Sequence, residues 1–210
     1  MEKSKKLKLN IAVIINLIVF GIAVYCFISL LNSFHKGANK FIYYTNISNL
    51  IVGAVSFANL IFISISLCKD RLIMPKAFSI IKFVALSMTS LTFVTVLFLI
   101  GPLTGFDESY SGRNFFTHLV IPILALCSYL FLEENIKFKW RASLFVLIPH
   151  TIYSTVYLLN ILVFGTWPDL YMLNTGGLWY LFMLMFFAMD FGVAQGIYFL
   201  KKFIDKKQPN

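Results

Sequence analysis

A chain of 210 residues with 59% hydrophobic and 13% charged residues carries about half the charge of an ordinary soluble domain. Its mean hydropathy of +0.81 excludes a water-soluble globule that hides its apolar surface within itself, and leaves an integral membrane protein. The formal net charge of +9 gathers at the ends of apolar runs, which assigns it to membrane topology and excludes nucleic acid as the partner.

The chain opens with "MEKSKKLKLN", which is similar to the basic region of a signal peptide. The apolar run that follows, Leu9–Leu31, is longer than the ~7–15 residues of a signal core, so an uncleaved first span is expected. Five further runs have the ~20 apolar residues a spanning helix needs: Ile42–Leu67, Ala77–Ile100, Phe115–Leu132, Ala142–Phe164 and Leu178–Leu200. Turn-rich breaks separate them, among them "NSFHKGANK", "CKDRLIMPK" and "GTWPDLYMLNTGG". The expected fold is all-α: one six-span bundle over residues 1–210, with no soluble domain.

Fifteen of the 18 Lys and Arg fall on one side of these spans. They lie in the first tail, around the second break (Lys69, Arg71, Lys76, Lys82), in the fourth break (Lys137, Lys139, Arg141) and in the last tail. Lys36, Lys40 and Arg113 fall on the other side. The positive-inside rule then places both termini in the cytoplasm. Tyr43, Tyr44, Trp167, Tyr171, Trp179 and Tyr180 are expected in the outer interfacial belt, and Trp140 in the inner one. The abundance of Lys, Ile, Asn and Phe fits an AT-rich bacterial genome, hence a bacterial plasma membrane.

The second span opens with "FIYYTNISNL". Thr45, Asn49, Val52, Ser56 and Asn59 recur at helical spacing, so one polar stripe faces the bundle interior. Helix-packing contacts between small polar groups account for such a stripe without any chemistry. Depth adds a second reading. Thr45 and His118 each lie three residues below an outer span start, ~5 Å down. A hydroxyl beside an imidazole suits acyl transfer, with oxygen as nucleophile and nitrogen as base. Pro122 cannot donate to the carbonyl of His118, so the turn there is expected to open and re-aim the ring. Asn49, one turn below Thr45, is placed to donate to an oxyanion, with Ser48 beside it.

Deeper down, Asp190 lies 11 residues, ~16 Å, above Lys201, and His150 lies 9 residues, ~14 Å, above Arg141. They share a depth and are expected to pair. A carboxylate so deep is a candidate for ligand binding or proton transfer, against the alternative of a structural lock between two spans. Lys82 is a second partner for it, unless it snorkels to the surface. His150, Ser154 and Tyr157 share a face that extends the polar interior. Cys26, Cys68 and Cys127 form no CxxC, and three scattered histidines without HExxH predict no metal. No cofactor is expected.

The stretches "FIYYTNISNL" and "NFFTHLVIPIL" resemble the paired motifs of the androgen-induced / androgen-dependent TFPI-regulating clan of multi-span membrane proteins. Phe41, Tyr43, Thr45, Ser48 and Asn49 match its bacterial F-x-Y-x-T-x-x-S-N pattern, and His118 with Pro122 matches its histidine-to-proline spacing. Trp167-Pro168 is similar to a later motif. The resemblance implies a hydrolase of fatty-acyl esters with Thr45 as nucleophile and His118 as base, and membrane lipids or fatty-acyl esters as partners. His150 after Pro149 departs from the pattern. Against this stand a small membrane transport or substrate-binding subunit, centred on His150 and Asp190, and a non-catalytic membrane scaffold.

Overall fold

The computed structural model describes residues 1–36, 39–133, 138–171 and 173–207. Lys137, one of the basic residues of the fourth break, lies outside them, as does Gly37 beside His35. Among the described residues six helices have the length and apolarity to cross a membrane: α1 Lys3–His35, α2 Tyr44–Cys68, α3 Lys76–Thr104, α4 Gly112–Leu132, α5 Trp140–Val163 and α6 Trp179–Lys207. The protein is a multi-span membrane protein. Each helix contains the apolar run expected of it to within a few residues, because hydrocarbon tolerates only backbone that bonds internally.

The helices are not equivalent. In α3, 61% of the spanning window is buried, against 17% in α6, so α3 is the axis around which the others pack. Phe83 and Leu86 of α3 meet Tyr129 and Leu130 of α4, Val146 of α5 and Ala194 and Ile197 of α6 in the largest core cluster. A second cluster joins Val19 and Ala23 of α1, Val52 and Val55 of α2, Ala85 of α3 and Ile121 of α4. Large apolar side chains elsewhere, such as Ile14, Phe98, Ile152 and Leu184, are exposed. In a membrane they meet lipid tails, which are as apolar as they are.

Proline shapes two spans. Phe116–Val120 forms a widened π-helical turn that contains His118, as expected from the missing donor at Pro122. Val96–Ile100 widens in the same way before Pro102. At one end of the bundle the N-terminal ammonium lies 3.0 Å, and the Lys6 amine 2.9 Å, from the Asp70 carboxylate in the α2–α3 connection. The hydrogen bond from Lys6, followed by that from the N-terminus, holds the Asp70 carboxyl below the usual range.

Helices α1 and α2 approach closely at Gly53. A Cβ added at Gly53 would stand 2.3 Å from the Cβ of Ala23. Gly53→Ala is therefore expected to force the two helices apart at a cost of about 1–3 kcal/mol, seen as a lower thermal midpoint in detergent. Adding Ala23→Gly restores the midpoint. A single variant as stable as the native protein would mean that this contact yields freely.

Candidate functional site

The polar stripe of α2 faces inward as expected. Asn49, Ser56 and Asn59 are buried, while Thr45 is half-buried. The stripe feeds two separate polar sites, one at each end of the bundle.

At the end opposite the termini, a cavity of about 60 Å³ opens between α2, α3, α5, α6 and the α5–α6 connection. That is room for a few waters or for part of an acyl chain. Its walls are mostly apolar, from Leu91, Val96, Ile100, Leu173, Met183 and Phe186. Its polar groups include Thr45, Thr92, Thr95, His150, Ser154 and Tyr153. Among the described residues no hydrogen bond engages the Thr45 hydroxyl, whereas the Thr45 carbonyl accepts from Ser48 at 3.0 Å and from Asn49 at 2.7 Å. The hydroxyl is thus left to the cavity.

His118 is not among the lining residues. Its Nδ1 lies 2.8 Å from the carbonyl of Ser109, in the α3–α4 connection. A carbonyl only accepts, so Nδ1 carries the proton and Nε2 of the neutral ring is the basic nitrogen. The backbones of α2 and α4 do converge at this level. Asn49 Nδ2 donates to the carbonyls of both Thr45 and Thr117, the latter at 3.1 Å, and its Oδ1 accepts from Thr89 at 3.4 Å. Both amide hydrogens are consumed, so Asn49 fastens helices instead of standing ready for an oxyanion. Ser48 does likewise, reaching Thr92 at 3.3 Å.

His150 and Asp190 come together as their shared depth predicts. His150 Nδ1 lies 3.3 Å from Asp190 Oδ2, an ion-pair separation at an angle too poor for a hydrogen bond. Asp190 has no exposed surface. His150 lines the cavity while Asp190 stands behind it. The imidazole is braced by the rings of Tyr44 and Phe187, at centroid distances of 5.6 and 4.8 Å.

Two belt assignments change. Tyr44 is buried against His150 and Tyr153 instead of facing the interface. Tyr171 folds back so that its hydroxyl accepts from the Tyr44 amide at 3.1 Å. Tyr157 is wholly buried, and its hydroxyl takes the Leu170 amide at 2.8 Å. It therefore positions the α5–α6 connection that carries Tyr171 and Leu173 to the cavity.

The second site lies near the termini and has a residue that periodicity did not single out. Glu133, at the end of α4, is 4% exposed. It forms an ion pair with Lys82 of α3 and accepts from Ser128 at 2.5 Å, Asn59 at 3.0 Å and Asn16 at 3.3 Å. Lys201 of α6 donates to the carbonyls of Leu130 and Glu133 at 3.1 and 2.9 Å. Lys82 thus neither snorkels nor pairs with Asp190. The available signal was one deep lysine together with Asn16 and Asn59 at similar depth, all lacking a carboxylate partner within a span. Among the described residues no group of three His, Cys, Asp or Glu could hold a metal.

In comparison with known proteins, no family model, no curated protein and no solved structure matches the chain.

Proposed function

We propose that the protein is a membrane-embedded hydrolase or acyltransferase of fatty-acyl esters, with Thr45 as the nucleophile. The observation that carries this reading is the unengaged Thr45 hydroxyl on the wall of a mostly apolar cavity. The fifteen-to-three distribution of Lys and Arg supports cytoplasmic termini, which turns the cavity toward the outer half of the bilayer. A lipid ester lying there has its carbonyl near headgroup depth and its chains at the level of Leu91, Met183 and Phe186. The likeness of "FIYYTNISNL" and "NFFTHLVIPIL" to the clan of threonine/histidine ester hydrolases adds to the reading. Two histidines are candidates for the base that serves Thr45. His118 has Nε2 as its basic nitrogen, one residue from the Thr117 carbonyl that shares the Asn49 amide with Thr45. His150 sits on the cavity wall itself.

Purified protein in detergent, incubated with p-nitrophenyl esters of graded chain length and quenched in acid, tests the proposal. The expected result is turnover of the ester together with an acyl adduct whose fragment mass maps to Thr45. An ester that binds without turnover or adduct, at every chain length, would replace it with the substrate-binding reading.

A further inference from the structure

Among the described residues two carboxylates are buried, and they are treated in opposite ways. Glu133 receives donors from Ser128, Asn16 and Asn59 and pairs with a lysine. Asp190 is fully buried, yet among the described residues neither of its oxygens accepts a hydrogen bond. A carboxylate held only for architecture is expensive at such depth unless donors surround it. The one polar side chain found within ion-pair distance of Asp190 among the described residues is His150. The order is carboxylate, imidazole, cavity, and Thr45 lines that same cavity.

We infer that His150, oriented by Asp190, is the general base that activates Thr45; the inference rests on the ester-hydrolase reading above and names its base. Asp190 draws the Nδ1–H toward itself, which leaves the Nε2 lone pair for the substrate side. The Tyr44 and Phe187 rings limit the swing of the imidazole. His150 takes the Thr45 hydroxyl proton as the oxygen bonds to the ester carbonyl carbon. The tetrahedral intermediate then collapses, the bond from that carbon to the alcohol oxygen breaks, and the alcohol leaves with the proton from His150. Water, deprotonated by the same nitrogen, attacks the acyl-threonine. The acyl–Thr45 bond breaks, the proton returns to Thr45, and the fatty acid departs. Asp190 takes no proton in these steps and is a positioning residue. The contact, 3.3 Å long and poorly aligned, is the loose geometry common in a free enzyme, which tightens when substrate fills the site.

The test compares native, Thr45→Ala, His150→Ala and Asp190→Asn proteins on one p-nitrophenyl ester. His150→Ala is expected to lower kcat/KM at least about 100-fold, with added imidazole restoring part of the loss. Asp190→Asn is expected to lower kcat about 100-fold or more while KM stays within about threefold, a split that loss of packing alone does not produce. Turnover within about threefold of native in either variant overturns the assignment. If Thr45→Ala is inactive in that case, the hydrolase reading survives without this base. If the native protein turns over no ester, both fall. Should His150→Ala not purify as a monodisperse species, Asp190→Asn decides alone, since its amide has nearly the same shape and is cheaper to bury than a carboxylate.

Discussion

Glu133→Gln is expected to lower the thermal midpoint of the detergent-solubilised protein by on the order of 10 °C. The native carboxylate neutralises the Lys82 ammonium within a site where both side chains are almost wholly buried. The neighbouring void of about 10 Å³ holds one water at most. The amide keeps the shape but removes the charge, so Lys82 is left unpaired in an apolar bundle. Breaking one side of a buried pair typically costs about 3–5 kcal/mol. Replacing both partners, as Lys82→Met with Glu133→Leu, removes the lone charge and is expected to recover most of the midpoint. Intrinsic tyrosine and tryptophan fluorescence on heating gives the comparison. A Glu133→Gln protein as stable as native would show that Lys82 escapes to the surface once released. The network ties α1, α2, α3, α4 and α6 at one level, so its loss should loosen the bundle as a whole.

Thr45→Ala is expected to lower kcat/KM for a fatty-acyl ester by about 10³-fold or more, equivalent to about 4 kcal/mol of transition-state stabilisation. It should leave the thermal midpoint within about 2 °C of native. The two readouts separate because the Thr45 side chain holds nothing in place. Its carbonyl is bonded by Ser48 and Asn49, and that bonding survives in alanine. Thr45→Ser keeps a hydroxyl without the methyl that limits its rotamers, so it should retain measurable turnover and still form the adduct. Stopped-flow release of p-nitrophenol, with the adduct mass in parallel, measures both. Unchanged turnover in Thr45→Ala would remove Thr45 as nucleophile and leave the cavity as a binding site.

Depth along each helix was legible in the residues themselves. Hydrocarbon demands about 20 apolar residues per span, so six spans could be marked before any contact was known. Pro122 opens the turn at His118 because a missing N–H acts locally. The equal depths of His150 and Asp190 sufficed to predict their meeting, since counting residues from the basic ends measures height in the bilayer.

Height says nothing of rotation or tilt, and those decided the rest. Tyr44 carries the composition of an interfacial residue, but α2 is turned so that its ring packs on His150. His118 and Thr45 stand at one level by count. The proton on Nδ1 nevertheless goes to Ser109, a residue of a connection whose path no periodicity describes. By sequence Lys82 has the features of a snorkelling lysine, because its partner, Glu133, lies in a polar break between spans. The sequence by itself determined how deep each polar group lies, because lipid penalises every buried polar atom according to depth. Only the tertiary structure decided which of those groups face one another, because the azimuth of each helix is set by side-chain packing around α3.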